Sequence, residues 1–341
     1  MSAATAPAAV RAPAARPRTA RWLLRLHRPA LVVWTALVIL GAALLLWLAG
    51  PLTDAAAEGW RQYNACKWSE KCPYAQDAIL RYKDVYNYLT LSLAALPFLV
   101  AAWAGAALTG RELESGTARL AWTQGITPVR WLVTRLALPA AAVAAGTSLL
   151  VFLHHRAWSA ADGRVDTAKN WYDFWTFHTN GPTTVALALA ALAAGALTGL
   201  ALGRALPALA VSVVLTAGVW GLAQWLMPHL WPAVTRVTSL EHGYAAPYSG
   251  VDVAKGLAIR GGGHIPEPEC YAATTEGCAR IFRERGAVGW FHAYHPASHY
   301  WPLQLTTSAF LLALAALFTL AAFRVLRRLS GSLRAGKGAT A

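Results

Sequence analysis

The sequence predicts an all-α polytopic membrane protein with six transmembrane helices, and three observations support this fold class. The 341-residue chain is 56% hydrophobic and only 13% charged, whereas soluble domains carry about 25% charged residues. It contains six apolar runs, each close to the roughly 20 residues that a helix needs to cross a bilayer. Its charge is unevenly distributed among the connections between these runs. The runs cover residues 30–49, 88–108, 131–153, 184–202, 205–227 and 301–323.

The distribution of lysine and arginine predicts which helix ends face the cytoplasm. Six spans place both termini on one side, and that side carries 16 Lys and Arg against 2 Asp and Glu. The three other connections carry 14 of each type. The net charge of +14 therefore lies on one side, which the positive-inside rule assigns to the cytoplasm. Because the charge acts as a topology signal in a chain so poor in charged residues, we expect a multi-pass plasma-membrane protein and no nucleic-acid partner.

Both ends of the chain are predicted to lie on this cytoplasmic side. Residues 1–17 are rich in Ala, Pro and Arg and are expected to be disordered. Residues 18–29 have the pattern of an interfacial elbow helix that lies along the inner leaflet and binds anionic membrane lipids. A positively charged flank to the first span is the alternative. The first apolar run is too long for a signal peptide, so an uncleaved anchor is expected, and residues 328–341 form a basic tail.

The three outer connections are residues 50–87, 154–183 and 228–300, and the last is long enough for a small helical cap. All four cysteines lie in the first and third of them. Oxidising compartments permit disulfides, so we expect pairing in sequence order, each ring contributing roughly 2–3 kcal/mol. Four free thiols are the alternative, and the spacings do not match zinc sites. The expected pairs are Cys66 with Cys72 and Cys270 with Cys278.

The fourth apolar run carries glycine at helical spacing. Gly195, Gly199 and Gly203 repeat every four residues and therefore share one helix face, which permits close approach of another helix backbone. Only Gly203 and Arg204 separate the fourth run from the fifth. These two runs are therefore expected to form a tight helical hairpin.

Motifs that would predict catalysis are missing from the sequence. It contains no G-x-x-x-x-G-K-[ST], no H-E-x-x-H and no G-x-S-x-G, so we expect neither nucleotide hydrolysis nor a hydrolase site in this chain. Charged residues are nearly absent from the span centres, which argues against an ion-coupled carrier. In "WFHAYHPASHYW", His292, His295 and His299 would converge if the stretch were helical and would then form a metal or catalytic site. Interfacial histidines before the last span are the simpler interpretation.

The inner connection between the second and third runs is crowded with charged and aromatic residues. In "GRELESGTARLAWTQGITPVRW", residues 110–131, Glu112 and Glu114 are the only acids on the predicted cytoplasmic side. The stretch "SGTARLAWTQ" suffices for about two helical turns, and Thr127 with Pro128 is a typical helix start. A short amphipathic helix with an exposed Trp122 is typical of a docking element for a cytoplasmic partner. A solvated turn with neutralising charges is the alternative.

This segment resembles the coupling region of bacterial type-2 ATP-binding-cassette (ABC) transporter permeases, where "R-E-x-E-x-G-T-x-R-L-x-W-T-Q" precedes a "P-x-R-W" helix start. The stretch "HPASHYWPLQ", residues 295–304, resembles the approach to the last span of that family. It departs from the pattern at His299, where an arginine is expected, and in lacking an acid soon after Gln304. The residues that match the coupling pattern are Arg111, Glu112, Glu114, Gly116, Thr117, Leu120, Trp122, Gln124, Pro128, Arg130 and Trp131.

The resemblance implies the permease subunit of an ATP-driven exporter, which provides the translocation path. A separate cytoplasmic ABC ATPase subunit would bind ATP and Mg²⁺, so this chain would hold no cofactor, and a second permease chain would complete a homodimer or heterodimer. Two alternatives stand beside this reading: a membrane-anchored enzyme or metal-binding protein that uses the outer histidines, and a non-transporting sensor or immunity subunit. The resemblance assigns coupling to the ATPase to Arg111, Glu112, Glu114, Thr117, Arg119, Leu120, Trp122, Gln124, Pro128 and Arg130.

Overall fold

The computed structural model describes most of the chain, and the predicted arm, residues 1–17, lies outside the described residues. Over these residues the chain is mostly helical, and six helices are long and apolar enough to cross a membrane. The predicted fold class is confirmed, and each helix contains the apolar run that predicted it. The described residues are 19–66, 72–241, 250–271 and 274–338. The six helices are His27–Asn64, Gln76–Glu114, Pro128–Ala161, Pro182–Leu202, Ala205–His229 and Ala297–Gly331.

The first span consists of α1 (Thr19–Trp47), one π-helical turn (Leu48–Leu52) and α2 (Thr53–Asn64). Pro51 lies in the π-helical turn, which is a common way for a helix to absorb a proline without ending. The segment predicted as an elbow is helical from Thr19 and runs into the span without a break. Its orientation along the inner leaflet stays a prediction. Below, the end of the bundle that carries the termini is called the inner end, following the predicted topology, and the opposite end the outer end.

The second and third spans are joined at the inner end. α3 (Gln76–Trp103) forms most of the second span and widens into a π-helical segment (Ala104–Gly110). The connection contains two short helices, α4 (Arg111–Glu114) and α5 (Thr117–Thr123), and the third span is α6 (Pro128–Ala161). The connection is therefore helical over most of its length.

α7 (Phe174–Thr179) and the residues after it enter the outer end of the bundle and form a buried polar layer there. His154 of α6 lies at its centre, with Nε2 2.8 Å from Thr90 Oγ1 of α3 and Nδ1 2.5 Å from Asn180 Oδ1. Gln304 of the last span donates from Nε2 to a backbone carbonyl of α7. Each of these four side chains belongs to a residue less than 5% exposed. The layer therefore ties the second, third and sixth spans together at the outer end.

α8 (Pro182–Leu202) is the central helix of the bundle, with 72% of its most apolar stretch buried. It ends at Gly203, whose φ of 62° is left-handed, and α9 (Ala205–Leu226) begins two residues later. A left-handed residue just beyond the last helical turn is a common helix stop, and glycine adopts it without steric cost. The predicted helical hairpin is present, and Gly203 ends α8 instead of belonging to a packing face.

Gly195 and Gly199 of α8 do lie where two helix backbones approach each other. A Cβ at Gly195 would stand 2.6 Å from the Cβ of Ala104, and one at Gly199 would stand 2.8 Å from the backbone nitrogen of Gly110. Both neighbours belong to the π-helical segment of the second span. Because these distances are shorter than any carbon can tolerate, only glycine allows this contact between the second and fourth spans.

The third outer connection folds into a sheet with one helix, so the predicted helical cap is wrong in its secondary structure. Its helix, α10 (Thr275–Glu284), packs Phe282 edge-on against Trp290 of the sheet, with ring centroids 5.4 Å apart. The last span, α11 (Tyr300–Gly338), follows the cap. The sheet is antiparallel, has the order β1-β4-β2-β3 and consists of β1 (Val234–Thr238), β2 (Val251–Ile259), β3 (His264–Ile265) and β4 (Ala287–His295).

Both predicted disulfides are confirmed. Cys66–Cys72 closes the connection between α2 and α3, and Cys270–Cys278 joins α10 to the segment that follows β3. Cys270 and Cys278 are partly buried against the hydrophobic core of the cap. Each crosslink closes a short ring in an outer connection.

The inner connection as candidate coupling site

The inner connection is shaped by its own backbone and hydroxyl groups. Gly116 adopts a left-handed φ of 74° between α4 and α5, a conformation that glycine adopts without steric cost. Across this turn Thr117 Oγ1 donates to the backbone carbonyl of Glu112 at 3.2 Å. At the far end Thr127 caps α6, its Oγ1 accepting from the backbone N–H of Arg130 at 3.3 Å, and Pro128 occupies the first turn. The predicted helix start is therefore present.

Glu112 binds the third span. Its Oε1 lies 2.5 Å from Nη2 of Arg135, and the two side chains are only 17% and 12% exposed. The guanidinium of Arg135 also lies 6.0 Å from the ring centroid of Trp131, one turn earlier on α6, within reach of a cation–π interaction. The carboxylate of α4 is therefore held against α6 by charge in a largely dry contact.

Glu114 binds the start of the fifth span. Its Oε2 accepts a hydrogen bond from the backbone N–H of Ala205, the first residue of α9, at 2.9 Å. The first N–H groups of a helix have no partner within the helix, and a carboxylate there also interacts favourably with the helix dipole. The two inner acids therefore tie one short helix, α4, to two different spans.

Trp122 differs from the sequence prediction, which left it exposed. The ring is half-buried and stands edge-on to Trp131, with centroids 5.7 Å apart and planes at 88°. It packs on a hydrophobic cluster that α5, α6, α8 and α11 build together. The buried members of that cluster are Ala118, Trp131, Leu132, Leu200, Ala322 and Leu326. Trp122 is therefore a structural anchor for α5 within this chain.

The outward face of α5 carries an exposed leucine. Leu120 is 58% exposed, and its neighbours Arg119, Thr123 and Gln124 are also exposed. We call these four residues the docking surface. Of the other residues assigned to coupling by the sequence, the structure leaves Arg111, Glu114, Thr117 and Arg130 exposed, and Glu112 and Pro128 half-buried.

His27 is a buried histidine at the inner end of α1, and the sequence gave no reason to expect its burial. The residue is only 5% exposed. α1 packs along α6, the helix that carries Arg135. A single histidine in a basic segment carries no sequence signal for such burial.

The three outer histidines do not form the metal site that a helical stretch would have allowed. His292 lies on β4 and its Nε2 contacts Asp252 Oδ1 at 2.8 Å, whereas His295 Nδ1 faces His299 Nδ1 at 3.1 Å. In a strand, residues three apart point to opposite faces. Within the described parts of the chain, no three His, Cys, Asp or Glu residues are grouped so that they could hold a metal ion.

Six spans joined by a structured inner connection define a multi-pass membrane protein, and comparison with known families refines this class. A family model described as ABC-2 membrane transporter related matches residues 20–227. This is more than half of the chain, and the chain belongs to that family. Membership of this family indicates a transport permease, the membrane component of a transporter. The match includes the inner connection and ends before the cap and the last span. No curated protein and no solved structure matches the chain.

Proposed function

We propose that this chain is the permease subunit of an ATP-driven exporter, and that its inner connection docks a separate cytoplasmic ATPase. Membership of the family supports a transport role, and the sequence lacks a nucleotide-binding loop of its own. One observation carries the proposal: α4 is bound to two spans through its acids, while α5 presents the docking surface away from the bundle. Through this arrangement, a partner bound to α5 would transmit force to the two spans that α4 contacts.

The docking surface has the character of a small interaction site. Leu120 offers an exposed apolar side chain, and Arg119 and Gln124 offer polar groups around it. Protein interfaces commonly have an apolar centre with a polar rim. On the opposite face of α5, Ala118 and Trp122 hold the helix against the bundle. A partner that binds Leu120 would therefore push on a helix whose opposite face is packed against the bundle.

The path of the force follows from the two acids. Movement of α5 is passed to α4 across the hydrogen-bonded turn at Gly116. From α4 it reaches α6 through Glu112 and Arg135, and α9 through Glu114 and the backbone of Ala205. Two contacts on different spans let one docking event shift the third and fifth spans together. We infer that closure of the ATPases acts through these contacts.

The outer end completes the proposed cycle. The buried polar layer of His154, Thr90, Asn180 and Gln304 closes the bundle there. Its hydrogen bonds include His154 of the third span, which the inner connection also moves. We propose that ATP-driven movement at the inner end separates this layer and releases substrate outward. As the resemblance implies, two permease chains and two ATPases would form the working unit, with both termini in the cytoplasm.

Co-expression with an ABC ATPase subunit from the same genome tests the proposal. The permease carries the affinity tag, and the complex is purified in detergent and reconstituted. We expect the ATPase to co-purify and its hydrolysis to increase with a transported substrate. An ATPase variant with its P-loop lysine changed to methionine serves as the control, since it should bind without hydrolysis. A correctly inserted permease that retains no ATPase would contradict the proposal.

A further inference from the structure

The second span changes its helical geometry just before the inner connection. Over Ala104–Gly110 its backbone is π-helical, a form in which each N–H bonds to the carbonyl five residues earlier instead of four. The N–H of Arg111, the first residue of α4, bonds in this way to the carbonyl of Ala106. Such turns are rare in proteins and are found mostly as single turns inside α-helices, frequently at functional sites. This one joins α3 directly to the helix that carries Glu112 and Glu114.

The glycines of this segment are spaced for a π-helix. Gly105 and Gly110 are five residues apart, so they stack in a π-helix, whereas at about 100° per residue an α-helix would separate them by about 140°. Both contact the same neighbouring helix, α9. A Cβ at Gly105 would stand 2.7 Å from the carbonyl oxygen of Ala208, and one at Gly110 would stand 3.2 Å from Cα of Ala205. The close contact between the second and fifth spans therefore depends on the π-helical form.

Hydroxyl groups bond this segment to the neighbouring spans. Thr109 Oγ1 donates to the carbonyl of Ala196 of α8 at 3.2 Å. Ser212 Oγ of α9 lies 2.9 Å from the carbonyl oxygen of Ala101, just before the segment, and 2.8 Å from that of Leu209 in its own helix, so it shares its hydrogen between them. Inside a membrane, a carbonyl beside an irregular turn needs a partner within the protein, and neighbouring Ser and Thr side chains provide one. The neighbouring spans therefore stabilise the π-helical form.

We propose that the π-helical segment is a joint between the second span and the inner connection. Exchange of a hydrogen bond across five residues for one across four would close its wide turn and shift α4 relative to α3. The outer half of the second span would stay in place, held by Thr90 in the buried polar layer. The inference rests on the proposed function and extends it, because Glu112 and Glu114 lead to the third and fifth spans, whereas the joint permits movement in the second.

Removal of a single residue tests the register. Ala107 is exposed, so its removal takes away no packed side chain, and it leaves Gly105 and Gly110 four residues apart, the stacking distance of an α-helix. The shortened segment should become α-helical and keep both contacts with α9. We therefore expect this protein, purified alone in detergent, to be monodisperse with a Tm within about 3 °C of the unmodified chain.

Removal of Ser92 is the matched control. Ser92 is also small and exposed, but it lies in the regular α-helical part of α3. Its loss turns the residues on one side by about 100° relative to those on the other, which displaces a buried face. This protein should aggregate or melt at least about 10 °C lower than the unmodified chain. Equal behaviour of the two deletion proteins would overturn the assigned register.

The coupling of ATP hydrolysis to transport tests the joint itself. In the chain without Ala107 the turn cannot widen again, so the ATPase should bind normally while the substrate transported per ATP falls at least about fivefold, as expected for a blocked hinge. Ala107→Ser keeps the length of the segment and should couple normally. Unchanged coupling in the shortened chain would overturn the joint. The Tm comparison requires no ATPase, so failure of the unmodified chain to bind the ATPase would contradict the proposed function alone.

Discussion

Glu112 of the inner connection forms an ion pair with Arg135 of the third span, with 2.5 Å between Oε1 and Nη2. Both side chains are less than a fifth exposed, so water screens the pair only partly. Exposed pairs contribute about 0–1 kcal/mol, whereas removing one partner of a buried pair costs about 3–5 kcal/mol. This contact lies between those limits, and we place it at about 1–3 kcal/mol. It is strong enough to transmit movement and weak enough to be changed without unfolding the bundle.

Glu112→Gln should uncouple ATP hydrolysis from transport. The amide keeps the shape of the carboxylate but loses the charge that holds Arg135, so the ATPase would still bind while less movement reaches α6. We expect a complex of normal composition, with the substrate transported per ATP falling several-fold. Glu58→Gln is the matched control, since Glu58 pairs with Arg61 on the surface of α2. Equal coupling ratios in both variants would remove the assigned role of the ion pair.

Leu120→Asp and Trp122→Ala should have different effects on thermal stability and on ATPase binding. Leu120 is exposed, so Leu120→Asp should leave the Tm unchanged but lower ATPase affinity about 30-fold, the effect of a hot spot of about 2 kcal/mol. Trp122 is packed on Trp131, so Trp122→Ala should lower the Tm, and its effect on docking should follow from a loosened α5. Affinity measurements and thermal melts on both variants check this. A Leu120→Asp protein that binds the ATPase normally would show that the docking surface lies elsewhere.

Gly199→Ala should destabilise the bundle. The added methyl group would stand 2.8 Å from the backbone nitrogen of Gly110 and 2.9 Å from the carbonyl oxygen of Gly105, neither of which can rotate away. Overpacking of this kind typically costs about 1–3 kcal/mol. Gly218→Ala is the control, because Gly218 lies on an exposed face of α9 with no atom within 4 Å of a new Cβ. The Tm of the two proteins is measured in detergent, and Gly199→Ala should have the lower value. Equal Tm values would contradict a close contact at Gly199.

Thiol labelling tests the topology on which the proposed function depends. The charge distribution places Cys66, Cys72, Cys270 and Cys278 outside the cell, in the two disulfides seen in the structure. After reduction, a membrane-impermeant maleimide added to intact cells should label all four. Labelling only of inverted vesicles, whose cytoplasmic face is outward, would reverse the assignment of the inner and outer ends.

The spans could be predicted from the sequence because hydrophobicity is a local property of each run. The contacts that shape the candidate site join residues that are far apart in the sequence. Glu114 contacts the backbone of Ala205, 91 residues away, and Trp122 is covered by a cluster that includes Leu326 at the end of the last span. No spacing rule links such positions. The sequence therefore predicted where the connection lies but misjudged the exposure of Trp122.

The outer cap shows the same limit for strands. β1 pairs with β4, where Val234 stands opposite Tyr294, and short exposed strands have weak alternation. Their valine, threonine and aromatic residues favour strands, but this preference depends strongly on the partner strand. Residues 287–295 form β4, so the helical stretch that would have brought the three histidines together is not present, and His292 and His295 point to opposite faces of the strand.

Photo-crosslinking from position 120 tests the central claim most directly. A benzoylphenylalanine placed at Leu120 in the assembled transporter should form a covalent adduct with the ATPase subunit, identified by mass spectrometry. Tyr88 is the control position, since it is 71% exposed in the outer half of α3, far from the docking surface. The account predicts an ATPase adduct from position 120 that changes in yield with ATP, and none from position 88. An assembled, active complex in which position 120 gives no ATPase adduct would contradict it.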